Sequence, residues 1–275
     1  MKTSTQLKAL VRNLSKEKNV NAEIILRNFM LERFLERVSF SKYSKNFILK
    51  GGMLIAAIVG MNTRTTMDMD VTIKGKSLTE AQIKEIFEDI LSVSIKDNVV
   101  FSYRKIEEMR EEAEYPGYRV SIDALLDKTR QIMHIDITTG DFITPGEIEY
   151  SYKLMFENRS ISIFAYNLET VLAEKFETIV SRGVTNSRMR DFYDIYVLTG
   201  TQKIDADTFR MALVNTSKKR GTFTQMADAS TSIQRIATSQ VLIDLWNRYQ
   251  KNYSYAADLS WEMAVNSLRK LNETL

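Results

Sequence analysis

The sequence predicts an α+β protein, in which a mixed β-sheet with flanking helices over residues 1–165 precedes a helical domain over residues 166–275. Three patterns lead to this prediction. Apolar residues recur at helical spacing near the start of the chain, whereas strand-like runs predominate between residues 99 and 165. From Asn167 onward the periodicity is helical again. A chain of 275 residues is long enough for one large domain or two modest ones.

Composition excludes several kinds of site. The chain contains no cysteine and a single histidine, His134, so disulfides, thiolate metal sites and multi-histidine metal sites are ruled out. Any metal must therefore be held mainly by carboxylates. No apolar run approaches the roughly 20 residues of a membrane span, and the first residues lack a signal-peptide pattern, so we expect a cytoplasmic protein without membrane contact. A net charge of +3 is compatible with a nucleic-acid partner.

Two helices are predicted at the start of the chain, over residues 3–18 and 21–38. In the first, Leu7, Val11 and Leu14 lie on one face, because residues four and seven positions apart are neighbours on a helix surface. We expect both helices to cover one side of the sheet that follows.

A glycine pair then separates a short strand from an apolar helix. The strand is Phe47–Leu49, the pair is Gly51 and Gly52, and the helix is Met53–Val59, which should be buried because it is apolar on all sides. Gly60 is placed to end this helix. The glycines would let the backbone approach a phosphate, and the N–H groups of the first helical turn would point at that phosphate.

Two aspartates, Asp68 and Asp70, lie in the next predicted strand. Because strand side chains alternate, both carboxylates should project from one face, roughly 7 Å apart, while Met69 and Val71 point into the core. Adjacent like charges repel unless a cation lies between them, and hard oxygen ligands favour Mg²⁺. Arg64 is close enough in sequence to reach the same pocket. A metal beside a triphosphate site indicates nucleotidyl or phosphoryl transfer; the alternative is a solvated strand face.

The middle of the chain is predicted to continue with a helix over Thr79–Leu91 and with strands over Val99–Ile106 and Tyr118–Leu125. The charged segment Glu107–Glu114 is interpreted as a solvated loop between those two strands.

A third strand, Gln131–Thr138, carries another acidic residue on its polar face. His134 and Asp136 share that face because they are two residues apart. If this strand is a neighbour of the strand with Asp68 and Asp70, three carboxylates converge on one spot. The alternative for Asp136 is a solvated sheet face, and we interpret His134 as a structural residue.

In the helical part, Lys175 falls inside an apolar stripe that includes Leu172 and Phe176. A lysine there either extends past its neighbours into solvent or meets an anionic partner at the domain interface. Asp191 lies at the edge of the buried stripe of a later helix, with Asp194 one turn further on. Asp191 could pair with Lys175, orient a metal-bound water or interact with the helix dipole.

In this order, the fragments resemble the AbiEii-type nucleotidyltransferase toxins of abortive-infection toxin–antitoxin pairs, which are related to the mycobacterial MenT toxins. The resemblance covers most of the chain, and its segments are Phe47–Gly52, Arg64–Asp70, His134–Asp141, Leu172–Lys175 and Arg190–Asp194. A pair of aspartates alone also occurs in glycosyltransferases, but the five segments in this order are a specific signal. The fold that the resemblance implies is nucleotidyltransferase-like.

The resemblance also implies roles for individual residues. Those assigned to nucleotide binding are Lys50, Gly51, Gly52, Arg64, Thr66, Lys175 and Arg190. Those assigned to catalysis are Asp68, Asp70, Lys175 and Asp191, and those assigned to Mg²⁺ or Mn²⁺ are Asp68, Asp70 and Asp136. Gly52 stands where many nucleotidyltransferases have serine, which removes a hydroxyl ligand and leaves phosphate binding to backbone N–H groups.

The implied activity is Mg²⁺-dependent transfer of a nucleotide from an NTP to an RNA acceptor. The expected acceptor is the 3′ end of tRNA, whose extension would block charging and translation, and the expected protein partner is a cognate antitoxin. Two alternatives stay open. One is a toxin that binds a nucleotide such as GTP without chemistry, and the other is a kinase or nuclease that uses the same carboxylates.

Overall fold

The computed structural model describes residues 3–61, 63–75, 78–109 and 117–275, which form two compact units. The first contains the chain as far as Asp141 together with Ile148–Ala165, and the second contains Phe142–Glu147 and Tyr166–Leu275. The short segment belongs to the second unit because the Asn167 amide donates to the backbone carbonyl oxygens of Thr144 and Gly146, at 2.8 and 2.9 Å.

The described strands all belong to the first unit. In chain order they are β1 (Phe47–Lys50), β2 (Met69–Ile73), β3 (Val99–Met109), β4 (Gly117–Leu126), β5 (Thr129–Thr139), β6 (Ile148–Lys153) and β7 (Ser160–Ala165). They form one sheet in the order β3-β4-β5-β2-β1-β7-β6. The pairs β2–β5 and β1–β7 are parallel, whereas the other pairs are antiparallel. The predicted mixed sheet is confirmed.

Helices of the first unit pack against this sheet and against one another. They are α1 (Ser4–Lys18), α2 (Ala22–Phe40), α3 (Gly51–Val59) and α4 (Glu80–Ser92). Helix α2 packs on β5 and β7, and α4 packs on β3. Phe34 of α2 is central to this core, since its ring lies 5.5 Å from Phe87 and 6.3 Å from both Phe47 and Phe101. The opposite face of the sheet carries the polar side chains of β2, β4 and β5.

The segments around β3 and at the start of α3 differ from the sequence prediction. Strand β3 continues to Met109 because Glu107–Met109 pairs with the start of β4, so the predicted loop is strand at its beginning. Its remainder, residues 110–114, lies outside the described residues. The glycine pair is not a separate turn, because α3 begins at Gly51 itself.

The second unit is helical where it is described, as the sequence predicts. Its helices are α5 (Leu168–Arg182), α6 (Met189–Thr201), α7 (Ala206–Lys219), α8 (Phe223–Met226), α9 (Ala229–Thr238), α10 (Gln240–Asn252) and α11 (Trp261–Asn272). Aromatic contacts join them: Phe176 lies 6.0 Å from Phe209, and Trp246 lies 5.8 Å from Trp261. None of the helices formed by the described residues has the length and apolar character that a bilayer span requires.

Candidate active site

Strand register aligns four charged residues across the centre of the sheet. Lys50 of β1 is opposite Asp70 of β2, Asp70 is opposite Asp136 of β5, and Asp136 is opposite Arg119 of β4. Residues directly opposite one another project from the same face of a sheet. The row therefore lies on the polar face, and the predicted neighbourhood of Asp70 and Asp136 is confirmed.

Arg119 lies among the three predicted carboxylates, although sequence analysis assigned it no role. Its Nε and Nη2 donate to the two carboxylate oxygens of Asp136, each at 2.7 Å, and Nη2 lies 4.0 Å from Asp68 Oδ2. The hydrogen bonds to Asp136 raise the pKa of Arg119 above its ordinary value despite partial burial, and the charges of Asp136, Asp68 and Asp70 raise it further. The guanidinium therefore carries a permanent positive charge beside the acidic cluster.

Asp68 does not share a strand with Asp70, so that part of the sequence prediction is wrong. Strand β2 begins at Met69, and Asp68 lies in the bend before it. The Thr66 hydroxyl donates to the backbone carbonyl oxygen of Asp68 at 3.1 Å, a local bond of the kind that competes with strand pairing. The Asp68 side chain nevertheless lies near this row of charged residues, as its 4.0 Å distance from Arg119 shows.

Because Gly51 and Gly52 have no side chain, side chains of the segment Arg64–Asp70 lie close to the first turn of α3. Gly51 has a φ of +64°, and a Cβ there would lie 2.0 Å from Asp70 Oδ2. The Gly52 N–H donates to the same oxygen at 3.3 Å. A Cβ on Gly52 would lie 2.8 Å from Thr66 Oγ1 and 3.2 Å from Arg64 Nη2. The structure thus brings five predicted site residues together at the start of α3.

Lys50 takes part in a polar network with a residue to which the sequence assigned no function. Its Nζ donates to Asp141 Oδ2 at 2.7 Å, and that oxygen also accepts from the hydroxyls of Thr72 and Thr138, at 2.5 and 2.6 Å. Burial raises the pKa of the Asp141 carboxyl, but Lys50 and the two hydroxyls more than offset this and hold it below its ordinary value. Asp141 is therefore an anion that orients the Lys50 ammonium.

The carboxylates differ in how well they suit a divalent cation. Among the described residues, no group of three acidic, histidine or cysteine side chains is arranged to hold a metal ion. Asp68 and Asp70 offer neighbouring hard oxygen donors, which fit Mg²⁺ or Mn²⁺ with water and phosphate oxygens as further ligands. Asp136 fits less well, because both of its oxygens accept from Arg119, and the guanidinium would repel a nearby cation.

In the second unit, Lys175 is half-buried and lies between two buried aspartates. Its Nζ lies 2.6 Å from Asp191 Oδ1 and 2.8 Å from Asp194 Oδ2, and Arg188 Nε lies 3.0 Å from Asp191 Oδ2. Burial lowers the pKa of Lys175, but the two carboxylates more than compensate, so the ammonium stays charged. Arg190 contacts Tyr253: its guanidinium carbon lies 5.4 Å from the ring centroid of Tyr253, and its Nη2 donates to the hydroxyl of Tyr253.

Two solved structures from Helicobacter pylori are similar to this chain. A candidate nucleotidyltransferase from Helicobacter pylori is 13% identical, with a TM-score of 0.50 over 92% of this chain and 98% of its own. JHP933 from the same organism is also 13% identical, with a TM-score of 0.49 over 92% of this chain and 95% of its own. At this identity the first likeness shows the fold alone. No curated protein matches the sequence.

The family comparison extends beyond the fold. The family model for the nucleotidyl transferase AbiEii toxin of type IV toxin–antitoxin systems matches residues 33–267. With the mixed sheet and its acidic cluster, this match defines the protein as a nucleotidyltransferase. The chain belongs to the AbiEii toxin family, which confirms the resemblance seen in the sequence.

Proposed function

We propose that this toxin transfers a nucleoside monophosphate from an NTP to an RNA, with Mg²⁺ or Mn²⁺ as cofactor and the 3′ end of tRNA as acceptor. The observation that supports this is the contact of Asp70 with the first turn of α3 on the polar face of the sheet, with Asp68 beside Arg119 on the same face. Carboxylate oxygens and helix N–H groups in one place suit a metal-bound triphosphate.

In this reaction an RNA hydroxyl forms a bond to the α-phosphorus, the bond between the α-phosphorus and the bridging oxygen breaks, and pyrophosphate leaves. Asp68 and Asp70 would hold the cation, which would supply positive charge to offset the negative charge that develops during the transfer. The Gly51 and Gly52 backbone and the Thr66 hydroxyl bind phosphate oxygens.

Further residues are proposed to bind the nucleotide. Lys175 is proposed to bind nucleotide phosphate and Asp191 to complete the catalytic set, and Asp191 holds the Lys175 ammonium at 2.6 Å. Lys50, Arg64 and Arg190 contribute positive charge to nucleotide binding. Extension of tRNA would block charging and stop translation, which suits a toxin of abortive infection and phage defence that is neutralised by an antitoxin in the cytoplasm.

The test is incubation of the purified protein with total tRNA, Mg²⁺ and each NTP in turn, labelled on either the α- or the γ-phosphate. We expect α-label on RNA and release of pyrophosphate with at least one NTP. Asp70→Ala should abolish both transfer and toxicity while the melting temperature stays close to that of the wild type. Asp123→Asn, on the same polar face of β4, is the matched control and should transfer normally.

Other outcomes would contradict the proposal. A γ-label on protein would indicate a kinase, shortened RNA would indicate a nuclease, and nucleotide binding without any product would indicate a binding toxin. Undiminished, metal-dependent transfer by Asp70→Ala would exclude the assigned role of that carboxylate.

A further inference from the structure

The Arg119–Asp136 pair is held in a geometry that leaves part of the guanidinium available. Nε and one N–H of Nη2 are used by the two oxygens of Asp136. An arginine has five N–H donors, so three remain. Within the described part of the chain Nη1 makes no hydrogen bond, and the Arg119 side chain is 39% exposed.

The face around Arg119 carries more carboxylates than the single one that an ion pair requires. Arg119 and Lys50 share this face with Asp68, Asp70, Asp136 and Asp141, and Arg64 lies beside Gly52, which leaves a net charge of minus one. A phosphate would be repelled from such a face unless cations are aimed at it. Lys50 is paired with Asp141. In the described part of the chain, the cation in contact with Asp68 is Arg119.

A second arginine–aspartate pair on the same two strands shows what a structural pair looks like. Arg130 of β5 donates through Nε and Nη2 to both oxygens of Asp123 of β4, at 3.1 and 2.9 Å. The Asp123 side chain is 17% exposed, the same as that of Asp136. The difference is location, because Asp68 and Asp70 adjoin Arg119, whereas the further ion-pair partner of Asp123 is Arg104.

We propose that Arg119 is a catalytic residue that binds a substrate phosphate oxygen, and that Asp136 positions it rather than ligating the metal. This inference rests on the proposed function and adds a residue to its site. The planar guanidinium keeps two N–H groups on Asp136 while Nη1 donates to a phosphate oxygen, which the single ammonium of a lysine does not reproduce. The phosphate belongs either to the NTP or to the acceptor RNA.

The first experiment measures transfer by Arg119→Lys, Arg119→Gln and Asp136→Asn, with Arg130→Lys and Asp123→Asn as matched controls. We expect Arg119→Lys and Arg119→Gln to lower kcat/KM about 100-fold, the size found when one transition-state donor is removed, while the controls change less than about 3-fold. Melting temperatures identify any variant that fails to fold. Equal losses in the Arg119 and Arg130 variants would overturn the proposal.

The second experiment separates the two sources of phosphate. Affinities for a non-hydrolysable NTP analogue with Mg²⁺ and for labelled tRNA are measured for wild type, Arg119→Lys and Arg130→Lys. A loss of at least 10-fold specific to Arg119→Lys in one of the two titrations supports the proposal and identifies the phosphate source. A fall in kcat with both affinities intact places the contact in the transition state and also supports it. No specific change in either affinity or in kcat would overturn it.

The third experiment tests the role of Asp136 without measuring activity. Mn²⁺ binding to the protein alone is followed by electron paramagnetic resonance. We expect Asp136→Asn to bind Mn²⁺ within about 2-fold of wild type and Asp70→Asn to bind at least about 10-fold more weakly, since affinity depends on the charge count of the oxygen ligands. A 10-fold loss in Asp136→Asn would make Asp136 a metal ligand and overturn the positioning role. If the wild type transfers no label, the proposed function fails, and the analogue and Mn²⁺ titrations still decide the roles of Arg119 and Asp136.

Discussion

Replacing Gly51 by alanine should damage both the stability of the first unit and the position of Asp70. Two costs add. A φ of +64° costs an alanine roughly 1–2 kcal/mol, because its Cβ approaches the following carbonyl oxygen. The new Cβ would also lie 2.0 Å from Asp70 Oδ2 and 2.7 Å from Asp70 Cβ. Rotation of the carboxylate removes the first clash but not the second, since the Asp70 Cβ is attached to β2.

Forcing an extra carbon into an occupied space costs about 1–3 kcal/mol, so the total is about 2–5 kcal/mol. Domains are stable by about 5–15 kcal/mol, and the variant should therefore remain mostly folded at 25 °C. Its activity can then be measured. Because Asp70 must move, and a shift of about 1 Å at a reacting centre can cost about 100-fold, we expect nucleotide transfer to fall by that order.

Urea unfolding measures the first effect, and far-UV circular dichroism is a suitable probe because both tryptophans lie in the second unit. Gly200→Ala is the control: among the described residues, no heavy atom apart from the chain neighbours and the helix's own backbone lies within 4 Å of a Cβ at this helical glycine. The change should be neutral or stabilise by about 0.5–1 kcal/mol. Wild-type stability and wild-type transfer in Gly51→Ala would refute the reasoning.

Three further predictions concern buried charges. Burial raises the pKa of Glu32 to about 7, so the stability it contributes is full below its ordinary value of 4.5 and is lost as pH rises through 7. The unfolding free energy of Glu32→Gln relative to wild type should therefore shift in favour of the variant as pH rises from 4.5 to 8, and a pH-independent difference in urea unfolding would contradict this. The pKa of Asp141 is lowered instead, so the stability that Asp141 contributes is full above the ordinary carboxyl range and is lost as pH falls. Asp141→Asn should therefore cost about 2–3 kcal/mol at pH 7, because Lys50 loses its partner, and less at lower pH. Lys175→Met should lower the free energy of unfolding by about 3–5 kcal/mol, measured by tryptophan fluorescence, because the carboxylates lose their cation. Adding Asp191→Asn should restore part of this loss, and additive effects in the double variant would argue against the ion cluster.

Local periodicity was sufficient to predict much of this protein. The alternation in Gln131–Thr138 placed Asp136 on the polar face, and helical spacing placed Lys175 inside an apolar stripe, where it meets Asp191. Both inferences depend only on the geometry of one element. The error at Asp68 arose within a single segment as well, because the Thr66 hydroxyl holds a bend that an alternating pattern does not reveal.

Arg119 could not be assigned in the same way, because an arginine on a polar strand face is ordinary. Its role depends on the strand that lies beside β4 and on the register of the pairing. The partnership of Lys50 with Asp141 is similar, since 91 residues separate them and neither segment indicates the other. A search for charged residues at equivalent positions of adjacent predicted strands would have suggested Arg119 once the β4–β5 hairpin was assumed.

The register that creates the site is itself set by the core. Val120 and Ile122 are fully buried on the apolar face of β4, and a slip of one residue against β5 would turn them toward solvent. The same slip would move Arg119 into the apolar layer and away from Asp136, at the cost of a buried, unpaired charge. The hydrophobic alternation in β4 therefore fixes the Arg119–Asp136 pair together with the core. No further interaction is required to align the row of charged residues.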